Sequence, residues 1–245
     1  MSENPSPLKC RTCGQSFTRS QKPGGGWRIA FDKKPPSTIC KAHIGSALCR
    51  WEVHKQRRQL RRKIAPFFQG KPASFLTLVP PQRLVAYDQL TKLNLENEKR
   101  AMRRVLRKAL PKDTVLVSVF DISLADDATS GASVRHWVPH FHVLVAGVTA
   151  AELRKACRHL YRGTKKVRRP IHVRDAPTPK NGLNYALKHI DDVNGDTIFS
   201  QATGSGNRSS RRRWLKKEER ALLKEFVSRN SLSTYLYLKG FRRLK

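Results

Sequence analysis

Hydrophobic residues recur along this chain with a spacing that changes from segment to segment, and the spacing predicts the elements. Phe75-Leu76-Thr77-Leu78-Val79 is a dense apolar run stopped by Pro80-Pro81, the length of a buried strand. A helix is expected from Leu84 to Leu110, because Met102, Val105, Leu106 and Ala109 repeat at i, i+3, i+4 and i+7, and Pro111 ends it. Thr114–Leu124 and Trp137–Ala146 are rich in Val, Phe and Leu. The polar loop between them, Asp126 to Arg135, contains Gly131, so the two should pair as an antiparallel hairpin.

Thr149 and Glu152 have the spacing of a capping box, in which each side chain satisfies a free backbone N–H of a helix's first turn. Leu153, Ala156, Cys157 and Leu160 then form that helix's apolar face. A short strand, Ile171 to Val173, leads to Thr178-Pro179, a cap and first helical residue. The helix it opens reaches about Asp192 with Leu183, Ala186, Leu187 and Ile190 on one side. The order strand, helix, strand, strand, helix, strand, helix predicts an α+β fold, an antiparallel sheet with flanking helices.

The flanks read differently. Residues 1–70 hold four of the five cysteines and a basic segment from His54 to Lys63, a small metal-stapled module with a basic helix. Gln201 to Ser210 is rich in Gly, Ser and Asn, the composition of a linker. A basic amphipathic helix with Leu215, Leu222 and Phe226 on one side follows. The tail Tyr235-Leu236-Tyr237-Leu238 is expected to dock on the core rather than stack on bases. The chain thus divides into 1–70, 71–200 and 201–245.

Charge changes the picture most. Fifty Lys and Arg against 18 Asp and Glu leave a net charge of +32, and the excess runs from Lys9 to Lys245 without an acidic block. Such a field attracts a polyanion, and each phosphate neutralised by a cation releases condensed counterions. Nucleic acid is therefore the expected partner. No long uncharged apolar stretch and no secretory signal is present, so the expectation is a cytoplasmic protein without a membrane partner.

Two short patterns carry chemistry. In His140-Phe141-His142-Val143-Leu144-Val145, the period of two sends both imidazoles to one face, with alpha carbons roughly 6.5 Å apart, within reach of one metal ion. Phe141, Val143 and Val145 face the other way, into a layer that would hold the strand rigid. Asp121 on the partner strand is the candidate carboxylate, since a hairpin centred near Gly131 brings it within about one residue of the His pair. A register slip by one residue would turn it away, and Asp126 and Asp127 are the alternatives. Two imidazoles and a carboxylate, with the remaining positions left to water and substrate, suit Mg2+ or Mn2+.

Asn184-Tyr185-Ala186-Leu187-Lys188 supplies a nucleophile. Tyr185 and Lys188 lie one turn apart, with Asn181 near them and off the apolar stripe, so Tyr185 is a poor core tyrosine. A nearby cation such as Lys188, or the metal, would favour its phenolate.

Together these residues resemble the HUH endonucleases, in particular the rolling-circle replication initiators of plasmids and phages. Phe75 to Val79 is similar to the family's first motif, an apolar strand containing threonine. His140-Phe141-His142 matches the HUH motif with its trailing hydrophobic residues, and Tyr185 with Lys188 matches the YxxK motif. The resemblance covers about Ser74 to Asp192. It implies that Tyr185 attacks a scissile phosphate in single-stranded origin DNA, forming a 5′-phosphotyrosine and leaving a 3′-hydroxyl for the host replication machinery to extend. A tyrosine placed after the histidine motif favours an initiator or a single-tyrosine transposase over relaxases. A noncatalytic zinc-containing nucleic-acid-binding protein is the competing reading.

For the N-terminal module, Cys10-Arg11-Thr12-Cys13 is a CxxC knuckle, and Cys40-Lys41-Ala42-His43 follows at about one zinc-finger span. Four ligands would close a structural Zn2+ site, with His43 or Cys49 as the fourth. Cys157, on an apolar helix face, is expected in the core.

Overall fold

The computed structural model describes residues 8–9, 16–21, 27–31, 50–127, 134–164, 166–176, 194–200 and 208–241, together with Thr178, Gly182 and Tyr185. Three short strands, β1 (Leu8–Lys9), β2 (Ser16–Gln21) and β3 (Trp27–Phe31), form a small antiparallel sheet. Cys10, Cys13, Cys40, His43 and Cys49, the expected zinc ligands, lie outside the described residues. Helix α1 (Arg50–Phe68) follows.

The remaining strands build an α+β fold on one open sheet. They are β4 (Ala73–Leu78), β5 (Val85–Ala86), β6 (Val115–Asp127), β7 (Val134–Ala146), β8 (Ile171–Asp175), β9 (Asn194–Ser200), β10 (Arg208–Trp214) and β11 (Leu236–Lys239). Helices α2 (Leu95–Ala109), α3 (Ala150–Cys157) and α4 (Lys217–Ser228) interrupt them. The sheet runs β10-β9-β6-β7-β4-β8, antiparallel throughout except for the parallel pair β6 and β9. The outer edge of β6 is shared, with β9 pairing at Leu124–Asp127 and β11 pairing at Leu116–Val119. On the other side, β7 divides its edge between β4 and β5.

The hairpin β6–β7 is the spine. Its register pairs Asp121 with His140 and Val119 with His142, and it extends beyond the expected strands into the polar loop. Strict alternation along β7 then separates two cores. Phe141, Val143 and Val145 join Leu76, Leu78, Met102, Leu106, Leu153 and Phe226 on one face. Leu144 and Ala146 join Phe75, Val117 and Val119 on the other, where Leu60, Ile64 and Phe68 of α1 cover them. Burying each of these large apolar side chains contributes roughly 1.5–3 kcal/mol.

Local signals act largely as expected. The Thr149–Glu152 capping box is present in both directions, with Thr149 N–H donating to Glu152 Oε2 at 2.9 Å and Glu152 N–H to Thr149 Oγ1 at 3.3 Å. Cys157 is fully buried. The helix expected from Leu84 begins only at Leu95, where Asn94 Oδ1 accepts from the Asn97 N–H at 3.1 Å. Upstream, Val85–Ala86 pairs with His136 and Trp137, and Tyr87–Lys92 winds into 3-10 turns. Trp137 imposes this conformation, because its indole N–H donates to the Tyr87 carbonyl at 2.9 Å and its ring stacks on the Tyr87 ring.

Two further differences concern the C-terminal third. Arg208 to Ser210, inside the expected linker, are the opening residues of β10, paired with Ser200 to Ile198. The tail docks on the core as expected, and it does so as a strand, β11. Among the described residues no helix is long and apolar enough to cross a membrane.

Candidate metal centre

Strand pairing alone brings three ligand-bearing side chains together. Asp121 and His140 face each other across β6 and β7, and His142 follows two residues along on the same face. Asp121 Oδ2 lies 3.1 Å from His140 Nε2 and 3.1 Å from His142 Nε2. The three ligand atoms lie within 4.8 Å of one another, a group that could hold a metal ion. All three residues are more than nine-tenths buried. Asp126, the alternative carboxylate, instead lies 3.7 Å from Arg213.

Each donor atom is held by a second contact. The Ile122 N–H donates to Asp121 Oδ1 at 2.8 Å, leaving Oδ2 for the histidines. His140 Nδ1 is 3.0 Å from the Val138 carbonyl, which only accepts, so that nitrogen carries the proton. The ring's Nε2 then faces Asp121 Oδ2. His142 Nδ1 meets Thr77 Oγ1 at 3.2 Å, which orients its Nε2 in the same way.

These contacts make a cation a good fit. Each Nε2 stands 3.1 Å from the same carboxylate oxygen, a separation bridged by a shared proton or by a cation. The spacing also suits an ion, since donors about 2.1 Å from one ion and at right angles are about 3.0 Å apart.

Tyr185 is helical and close to this group. Its ring centroid is 4.9 Å from that of His142 and 5.5 Å from that of Phe75, both edge-on. Even so it is 43% exposed, which leaves the phenol accessible from solvent. Close seating of its helical segment depends on Gly182, where a Cβ would come within 2.8 Å of Leu144 Cδ1. Lys188 and Asn181 lie outside the described residues.

Arg174 is a residue that the sequence did not single out. It sits opposite Phe75 on the β4–β8 ladder, and its guanidinium lies 4.9 Å from the Phe75 ring and 5.2 Å from the Tyr185 ring. The three line a cavity of about 300 Å³ beside the tyrosine. The available signal was alternation with the buried Val173, which turns Arg174 to the histidine face. Tyr161, by contrast, packs against the opposite core with Phe141, away from the histidines.

No protein-family model matches the chain, and no match is found among curated proteins or solved structures.

Proposed function

We propose that this protein is a metal-dependent endonuclease that nicks and rejoins single-stranded DNA through Tyr185, acting as a rolling-circle replication initiator. The observation that carries the reading is the approach of an exposed tyrosine ring to within 4.9 Å of His142, a member of the buried Asp121, His140 and His142 group. The order of the histidine and tyrosine motifs supports the initiator assignment. The net charge of +32 supports a nucleic-acid substrate.

Asp121, His140 and His142 would hold Mg2+ or Mn2+, which supplies Lewis-acid stabilisation of charge developing on a nonbridging phosphate oxygen. Val138 and Thr77 fix the two rings so that Nε2 is the ligating atom in each. Tyr185 Oη attacks phosphorus as the bond from phosphorus to the 3′ oxygen breaks. Overall, the phenolic proton given up is balanced by the one the 3′ oxygen takes up. Lys188, three residues further along the sequence, and the Arg174 guanidinium would offer positive charge to the phosphate or the phenolate. Energy kept in the phosphotyrosine allows rejoining without a nucleotide cofactor. A structural Zn2+ bound by Cys10, Cys13 and Cys40 with His43 or Cys49 belongs to the same reading.

Incubation with single-stranded origin DNA and Mn2+ should yield a covalent protein–DNA adduct, located at Tyr185 by mass spectrometry. Tyr185→Phe should lose the adduct and keep DNA binding. Undiminished nicking by that variant would overturn the assignment. Loss of adduct in wild-type protein treated with a chelator, with recovery on adding Mn2+, checks the metal.

A further inference from the structure

Two adjoining cavities lie on the face of the sheet turned away from the histidines. Phe141 lines the larger one and points opposite to His140 and His142 along β7. Their volumes are about 250 and 300 Å³, and Arg83, Ala101 and Arg104 line both. Their chemistry differs.

The larger cavity sets an apolar wall of Met102, Val105 and Phe141 beside three polar side chains, Arg83, Glu98 and Tyr161. The Glu98 side chain is only 6% exposed, and its Oε1 accepts from Arg83 at 3.1 Å. Among the described residues, Glu98 Oε2 and the Tyr161 hydroxyl have no hydrogen-bond partner. Burial raises the Glu98 carboxyl against the pull of Arg83, so a second N–H donor would stabilise its charge. Burial also raises the Tyr161 phenol, while Arg83 lowers it and Glu98 raises it, which puts the hydroxyl near both groups. In the smaller cavity Arg100 and Arg104 join Arg83. They are exposed and one helical turn apart on α2, with Cβ atoms about 5–6 Å apart, so both guanidiniums can reach one phosphate. Among the described residues neither has a carboxylate partner.

A ligand that fills both cavities needs a flat, largely apolar end with polar edge groups and an anionic end. We infer that the paired cavities bind one nucleotide, with its base against Met102, Val105 and Phe141 and its phosphate on Arg100 and Arg104. The open polar groups select the base. An amino group donates to Glu98 Oε2 and the ring nitrogen next to it accepts from the Tyr161 hydroxyl, a pair of edge groups that adenine and cytosine present. Uracil does not fit, because two carbonyls flank its ring N–H and repel a carboxylate. Ala101, common to both cavities, is small enough to leave the way between them open. A free nucleotide and one nucleotide of a strand offer the same chemistry, and competition separates them. The site uses neither Tyr185 nor the histidines, so it stands apart from the nicking reading.

The test is isothermal titration calorimetry on the full chain in chelator, with AMP, UMP and ribose 5-phosphate as probes. AMP should bind once per chain and about tenfold or more tightly than either of the others, the worth of a hydrogen bond to a charged group. Arg100→Gln with Arg104→Gln should weaken AMP about tenfold or more. Lys217→Gln with Lys224→Gln, the same charge change on exposed positions of α4, should alter it by far less. Glu98→Gln should erase the preference for AMP over UMP. Tyr161→Phe, which keeps the ring and leaves the Arg83–Glu98 pair intact, should reduce that preference. Displacement of AMP by a short oligoadenylate at lower concentration than by AMP itself assigns the site to a nucleotide of a strand, and displacement only at higher concentration assigns it to a free nucleotide. Equal affinities for AMP and ribose 5-phosphate, equal affinities for AMP and UMP, or equal losses in the arginine and lysine variants would each overturn the proposal. A failure of the nicking reading shows separately, as undiminished nicking by Tyr185→Phe.

Discussion

Thr77 Oγ1 and His142 Nδ1 lie 3.2 Å apart at directly opposed positions of β4 and β7, so strand pairing itself sets the orientation of a buried histidine. Thr77→Val keeps the β-branched shape and removes the hydroxyl. Contacts of this kind to a ligating histidine are worth about tenfold to a hundredfold in metal affinity. Mn2+ titration followed by electron paramagnetic resonance should show that loss. An unchanged affinity would show that the threonine does not position the ring.

Asp121 contributes the oxygen on which both histidines converge, so Asp121→Asn should abolish the group's response to metal. Mn2+ at about a hundred times its dissociation constant stabilises the folded chain by about 2.7 kcal/mol. For a chain of this size that is a rise of about 5–10 °C in Tm. Differential scanning calorimetry should find the rise in wild type and not in Asp121→Asn. Equal rises in the two would place the bound ion elsewhere.

Glu219 gives the protein an acid-sensitive anchor. Burial alone would push its carboxyl up. Hydrogen bonds from Arg213 at 2.7 and 2.8 Å and from the Lys216 N–H at 2.7 Å, with the Arg213 charge, outweigh burial and hold it below the usual range. A depressed folded value means stabilisation that is present above the unfolded value of about 4.3 and lost as pH falls through the folded value. Glu219→Gln should cost roughly 1.5–3 kcal/mol in urea unfolding at pH 7, the worth of a charged hydrogen bond, and progressively less as pH falls below the unfolded value. A cost independent of pH would refute the linkage.

Gly182 and Leu144 should behave as a coupled pair. Alanine at 182 forces its Cβ to within 2.8 Å of Leu144 Cδ1, and overpacking of this kind costs about 1–3 kcal/mol. The cost should shrink when Leu144→Ala makes room, so a double-mutant cycle should give a stabilising coupling. Additive effects would mean that the helical segment moves freely off the sheet.

The candidate site was legible because its ligands obey the shortest repeat in protein structure. Alternation placed His140 and His142 on one face, and the pairing of β6 with β7 brought Asp121 opposite His140. The 3-10 turns of Tyr87–Lys92 were not legible, since their conformation answers to Trp137, far away in the chain. Strands β9 and β10 hid for a related reason. Their sequences, NGDTIFS and RSSRRRW, carry little apolar periodicity, and they become strands by pairing with each other and with β6. Arg174 is polar on an edge strand, and alternation with Val173 gave its face without separating it from an ordinary surface cation.

The split edge of β6 has a consequence for how the protein is made. A ribosome releases β6 and β7 long before Leu236–Lys239, so the newly made hairpin carries Asp121 and His140 on a ladder whose outer edge at Leu116–Val119 is open. An unpaired edge is the place where a strand from another chain adds. Until β11 is synthesised, the strand that presents the aspartate is therefore also an edge at which nascent chains can join one another.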